Sequence, residues 1–156
     1  MSVLFHWKWT NYVKDTGWNT HKYAIKDYNL TRDNELMYSL KPGEHIWAFT
    51  RWGEKTYVLA ADLIVTKTVT PSPNPQYGLY CAYGDRQNSR YFNVNAQRNV
   101  EPLIKSLDVY VNKKGQTPKV RAMGSFSQGP PNGVRLLPTS RDEQQLIQFS
   151  SGLPVI

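Results

Sequence analysis

Apolar and polar residues alternate from the first positions of the chain. Val3, Phe5, Trp7 and Trp9 fall on one set of alternate positions, and Leu4, His6 and Lys8 on the other. That period of two predicts a first strand with one aromatic face. The polar, broken stretch 10–31, with Gly17 and Trp18 in its middle, predicts a long connection with room for a helical turn. A short helix is predicted from Asp33 to Leu40, with Asp33 as N-cap and a stop before Lys41-Pro42-Gly43. Glu44–Arg51 and Lys55–Val69 read as two strands joined by a tight hairpin at Trp52-Gly53-Glu54. Ala60 and Ala61 are small enough to let another element approach the second of them closely.

Pro71, Pro73 and Pro75 mark a loop inside the domain, because apolar alternation resumes directly after them. Tyr77–Tyr83 and Arg90–Val94 are further short strands around the polar turn at residues 84–88. Glu101–Leu107 is a helix with Pro102 tolerated in its first turn. Asp108–Asn112 and Lys119–Met123 are additional strand candidates, and Gly129–Gly133 is an exposed, rigid loop. Ser140 and Glu143 form a capping box ahead of a stripe of Leu146, Ile147 and Phe149, with Gly152 as the stop. Five to seven short strands with a few short helices predict an α+β fold. The expected architecture is one domain over residues 1–156, a small mixed, partly closed β-barrel flanked by short helices.

Composition changes this picture in one respect. Five Trp and ten Tyr make up most of a 13% aromatic share, more than an average core requires. Some of those rings are candidates for stacking surfaces, although sheet-rich domains also use aromatics structurally. The net charge is +7, and the excess is uneven: residues 1–70 carry nine basic and seven acidic groups, residues 71–156 ten and five. A phosphate polymer would be drawn to the second half, and a basic surface kept for solubility is the alternative. Cys81 is the single cysteine, so an internal disulfide is impossible and a reducing compartment fits. With no basic leader and no apolar run long enough to span a bilayer, the expectation is a cytoplasmic protein with no membrane partner.

Catalytic patterns are poor. There is no Gly-rich phosphate loop, no His-Glu-x-x-His and no paired-cysteine spacing, so neither a cofactor nor a metal is expected. His6, His21 and His45 are scattered, and Cys81 sits in an apolar run that predicts burial. Asp62 interrupts the strand around it and is either a general base or a hydrogen-bonded structural residue.

Binding patterns are better. Trp18 lies among Asp15, Thr16, Gly17, Asn19 and Thr20, and so falls outside any apolar period. Trp9 and Trp52 flank cationic residues at strand ends and divide evenly between core and ligand roles, while Trp7 and Trp47 read as core. Exposed indoles suit nucleobases, since stacking contributes roughly 1–3 kcal/mol per base. A base in a pocket also needs a polar group on its edge, for which Asn19, Thr10 and Asn88 are candidates. Lys14, Lys22, Arg51, Arg86, Arg90, Arg98 and Arg135 are candidates for flanking phosphates.

The runs Trp18-Asn19-Thr20-His21-Lys22 and Leu40-Lys41-Pro42-Gly43-Glu44-His45-Ile46-Trp47-Ala48-Phe49 resemble the EVE domain of the PUA-like superfamily. So does Arg135-Leu136-Leu137-Pro138-Thr139-Ser140 with Glu143 and Ile147, which is similar to that family's Arg-Leu-Ser segment leading into a final helix. The related YTH domains also set a pocket Trp in the loop after their first strand, and ASCH domains are further relatives. The resemblance implies a compact barrel whose mouth accepts a flipped, often modified, base in an aromatic pocket. By position it makes Trp18 the first wall and Trp52 or Arg51 the second. Lys8, Trp9 and Thr10 would supply the floor and edge, and Arg135 a backbone or pocket contact. The family's Lys-Ser-Glu-Pro-like strand ending is Lys8-Trp9-Thr10-Asn11 here, and its Asp-Gly is Asn19-Thr20, departures that imply either a different specificity or no base pocket.

The expected function is therefore a nucleic-acid-binding module for DNA or RNA. Its base pocket would be built from Trp18, Trp52, Trp9, Asn19, Lys8 and Thr10, and its phosphate rim from Arg51, Arg86, Arg90, Arg135 and Lys22. An effector nuclease or partner protein in trans would complete such a system. The alternatives are a hydrolase or nuclease drawing on Glu54, Asp62, Thr66 or Lys67, and a protein-interaction domain that uses its Trp surface.

Overall fold

The structure is a computed structural model that describes residues 2–16, 29–32, 35–53, 56–73, 78–95, 97–109, 134–137 and 139–156. Strands β1 (Ser2–His6), β2 (Asn29–Arg32), β3 (His45–Trp52), β4 (Thr56–Val69), β5 (Tyr80–Gly84), β6 (Arg90–Tyr91) and β7 (Val134–Leu137) join in one mixed sheet. Helices α1 (Trp9–Thr16), α2 (Glu35–Tyr38), α3 (Glu101–Ser106) and α4 (Ser140–Ser150) complete an α+β fold. The sheet order is β2-β5-β4-β3-β1-β7, with β6 also on β4, and among the described residues the end strands β2 and β7 do not pair with each other.

β4 organises the sheet. Its first half pairs with β3 and β6, and its second half with β5. The β3–β4 ladder opens with Lys41-Pro42-Gly43-Glu44, where the Glu44 amide donates to the Lys41 carbonyl. Pro fixes φ at the second turn position, and Gly43 at φ +88 supplies the left-handed third position. Further along, the register slips between Ala48 and Phe49, so that Ala48 faces Ala61 while Phe49 faces Leu59. Ala60 is the extra residue of this bulge, and both Ala60 and Ala61 pack into the same core. The edge of β4 beyond β6 is paired by side chains. The Gln97 amide accepts from Leu59 N and donates to Leu59 O, and Asn99 Oδ1 accepts from Tyr57 N. They satisfy backbone groups that a further strand would otherwise hold.

Alternation gives the sheet two buried faces. Val3, Phe5, Ile46, Ala48, Val58 and Val65 pack with Tyr12 of α1 and Leu36 and Met37 of α2 on the first. Leu4, Trp47, Phe49, Leu59 and Phe92 pack with Ile104 of α3 and Leu146 of α4 on the second. Each side chain buried in this way contributes roughly 1.5–3 kcal/mol, so strands apolar on both faces hold four helices without a separate helical core. None of the described helices is long and apolar enough to cross a membrane.

Several elements differ from the sequence expectation. β1 stops at His6, and Trp9 opens α1, a two-turn helix where a mostly irregular connection was expected. β2 falls inside that expected connection, and β7 was not anticipated as a strand. The α4 cap is Thr139, whose hydroxyl accepts from Asp142 N, one residue earlier than the expected box. The Asp33 cap, the Lys119–Met123 strand, most of Asp108–Asn112 and the Gly129–Gly133 loop lie outside the described residues, and Asp108 and Val109 are not in a strand.

Candidate nucleic-acid interface

Parallel pairing of β1 with β3 sets His6 opposite Phe49, and the Trp7 amide donates to the Phe49 carbonyl at 2.8 Å. The residues just after β1 and the last residues of β3 therefore lie at the same end of the sheet. From β1 come Lys8, Trp9 and Thr10, and from β3 come Arg51 and Trp52. Lys8, Thr10 and Arg51 are exposed, whereas Trp9 and Trp52 are half-buried against the first-face core.

The aromatic side chains at this end support one another. Trp9 stacks on Tyr12 with ring centroids 5.3 Å apart and planes 21° from parallel. Trp7 meets Tyr12 edge-on at 5.1 Å and lies 6.4 Å from Tyr91. The Trp7 Nε1 donates to Asp15 Oδ2 at 3.1 Å, which ties the strand end to α1. Helix spacing explains the arrangement, because Trp9, Tyr12, Val13 and Thr16 share one face of α1. The result is a tier of rings, Tyr12 and Tyr91 buried and Trp7 and Trp9 half-buried, at the end of the sheet where Lys8 and Arg51 are exposed.

On the second face, His6 stacks on Phe49 at 5.0 Å and lies 6.4 Å from Tyr57. Its Nε2 is buried and has no hydrogen-bond partner among the described residues. Burial first, and the Lys8 charge second, bring its pKa down from 6.5 to about 4, so the ring is neutral at physiological pH.

The remaining rim residues are elsewhere. Arg86 is exposed in the turn after β5, which is held beside Ile64 of β4 by the Asp85 amide, and there Asp85 accepts from the amides of Gln87 and Asn88. Arg90 donates to Asp62 Oδ2 at 3.0 Å and Ser150 Oγ at 3.1 Å, and its guanidinium lies over the Phe92 ring. Arg135 is 8% exposed, and its Nη1 donates to the Val134 carbonyl. Of these two expected rim cations, Arg90 is paired with a buried carboxylate and Arg135 is buried in β7. Trp18, Asn19 and Lys22 lie outside the described residues.

Sequence reading named Asp62, His45 and Arg90 separately but did not bring them together. Asp62, 2% exposed, receives His45 Nδ1 at 2.6 Å and Arg90 Nη2 at 3.0 Å. The His45 ring stacks on Trp47 at 5.7 Å, and its Nε2 is 3.9 Å from Glu143 Oε1 on α4. The hydrogen bond to Asp62 holds the His45 pKa above its ordinary value against the opposing effect of burial; the Asp62 and Glu143 charges add to the rise and Arg90 subtracts from it. No spacing motif announces this group, because it depends on the antiparallel register that sets Trp47 opposite Asp62. Of the residues weighed for hydrolysis, Thr66 donates to the Tyr83 carbonyl, Lys67 lies over the Tyr83 ring, and Glu54 is outside the described residues. Cys81 is buried in β5. Among the described residues no three His, Cys, Asp or Glu side chains converge as metal ligands.

Comparison with protein-family models, with curated proteins and with solved structures found no match for this chain.

Proposed function

We propose that the chain is a nucleic-acid-binding module that stacks an unpaired or flipped base, including a modified one, on the Trp9 and Trp52 side of the sheet. One observation carries the reading: parallel pairing of β1 with β3 delivers Lys8-Trp9-Thr10 and Arg51-Trp52 to the same end. Indole faces accept any nucleobase, and the two exposed cations attract the adjoining phosphates. On this reading the sheet acts as a partly closed, EVE-like barrel with the aromatic end as its mouth. The module works in a reducing, cytoplasmic setting, on DNA or RNA, with an effector protein in trans.

Fluorescence anisotropy of labelled single-stranded oligonucleotides, with and without a modified base and at low and moderate salt, tests it. Binding that weakens with salt and falls about tenfold or more in Trp52→Ala supports the reading. Absence of binding for every oligonucleotide at low salt overturns it.

A second reading, hydrolysis of nucleic acid or modified nucleosides, is favoured by the His45–Asp62 pair. A buried carboxylate on Nδ1 orients an imidazole whose Nε2 is left for proton transfer. Turnover of an oligonucleotide or nucleoside that disappears in both His45→Gln and Asp62→Asn, while both variants stay folded, would establish it. Turnover unchanged in these variants would remove it.

A further inference from the structure

Thr50 occupies a chemically odd position. It lies on β3 between Ala48 and Trp52, and its cross-strand partner is Val58. Partners in register project to the same side of the sheet, and Val58 and Ala48 belong to the first-face core against which Trp7, Trp9 and Trp52 pack. Thr50 is 0% exposed, and its hydroxyl oxygen has no hydrogen-bond partner among the described residues. Nearly all buried hydroxyls in folded proteins are satisfied, and leaving one unmade costs about 1–3 kcal/mol. Valine at this position would have almost the same shape without that cost.

His6 Nε2 and Trp47 Nε1 are among the other buried atoms without a hydrogen-bond partner in the described residues. Both belong to rings that pack by stacking on the second face, on Phe49 and His45 respectively. The ring explains their presence. For Thr50 nothing but the hydroxyl distinguishes it from valine, and it lies on the aromatic face at the end of the sheet where Lys8, Trp9, Arg51 and Trp52 gather.

We infer that Thr50 is the specificity-determining residue of this site: its hydroxyl hydrogen-bonds the polar edge of the base stacked on Trp9 and Trp52. The inference rests on the proposed nucleic-acid reading and deepens it. A threonine hydroxyl both donates and accepts, so it engages a ring nitrogen, a carbonyl or an exocyclic amine. In the free chain the hydroxyl is covered. The half-exposed Trp52 indole, two positions along the same strand face, moves outward to admit the base. Stacking supplies affinity without base preference, and the buried hydroxyl supplies the preference, because a base that leaves it unpaired keeps the desolvation penalty.

The test compares wild type, Thr50→Val and Thr50→Ser on short single-stranded homopolymers of dA, dC and dT and on an abasic strand. Wild type is expected to separate its best and worst homopolymers by about tenfold, the worth of one net hydrogen bond. Thr50→Val is expected to bring them within about threefold, with an unchanged salt slope and an unchanged or higher Tm. Thr50→Ser keeps the hydroxyl and is expected to restore the preference. Wild type that binds with no base preference, or Thr50→Val that retains the wild-type preference, overturns the inference and leaves the proposed function standing. A marked fall in Tm for Thr50→Val also overturns it, since the hydroxyl would then serve the fold. Wild type that binds no strand at all overturns the proposed function itself.

Discussion

Two histidines on strands of the same sheet have opposite fates. His45 starts β3 with its Nδ1 on the buried carboxylate of Asp62, to which Arg90 also donates, and Ser150 and Glu143 of α4 lie against Arg90 and His45. His6 ends β1 between Phe49 and Tyr57, neutral, close to the exposed Lys8 and the aromatic tier. At the first end polar groups are used up within the fold, tying β3, β4 and β6 to α4. At the second, cations stay exposed and indoles half-exposed, and the Thr50 hydroxyl is left unpaired. The first is the arrangement of a structural clamp, and the second that of a surface waiting for a partner.

The comparison can be broken most severely at Asp62. Asp62→Ala removes the shared acceptor of His45 and Arg90 and leaves the Arg90 guanidinium and the His45 ring without their carboxylate. A loss of about 3 kcal/mol or more is expected in urea denaturation. Oligonucleotide affinity, measured where both proteins are fully folded, is expected to stay within about twofold, the scatter ordinary for distant sites. A stable variant would mean that the clamp does little.

The pH dependence separates the two histidines by sign. His6 has its folded pKa depressed, so on acidification from about 6.5 towards about 4 the unfolded chain takes up a proton that the folded chain refuses. Stability falls across that window, and His6→Phe is expected to flatten the fall. His45 has its folded pKa raised by Asp62 and Glu143 against Arg90 and burial. Its contribution is complete below its unfolded value near 6.5 and is lost as pH rises through the folded value. His45→Gln is expected to remove that alkaline loss and leave the acid limb intact. Tm against pH for both variants checks the pair, and identical profiles would erase the distinction.

The smallest effect expected is at the foot of α4. Thr139→Ala deletes the hydroxyl that accepts from Asp142 N, and about 1 kcal/mol of stability should go with it. Because α4 carries Glu143 and Ser150, the clamp end should show faster amide exchange, while the aromatic end should not.

Local chemistry made parts of this fold legible in sequence. The two strand-like runs around Trp52-Gly53-Glu54 gave away the β3–β4 hairpin, Pro102 marked the start of α3, and the Ser140/Glu143 pattern marked the start of α4 to within one residue. The step from β1 to α1 was missed because Trp7 and Trp9 continue a period of two, although Trp9, Tyr12, Val13 and Thr16 already carry the helical spacing. The short strands β2 and β7 offer too few residues for any period to register. At the site, Lys8, Trp9, Thr10, Arg51 and Trp52 could be nominated by residue type, but only the parallel register brings them together. Asp62 with His45 and Arg90, and Thr50 opposite Val58, depend on register across the sheet, which no spacing along the chain encodes.

Photo-crosslinking of a halogenated single-stranded oligonucleotide, followed by peptide mapping, asks directly which end of the sheet meets nucleic acid. Adducts are expected on Trp7–Tyr12 and on Thr50–Trp52, and they should fade as salt is raised. Adducts confined to the His45, Arg90 and α4 side, with the Trp9 and Trp52 peptides unmodified, would contradict the account.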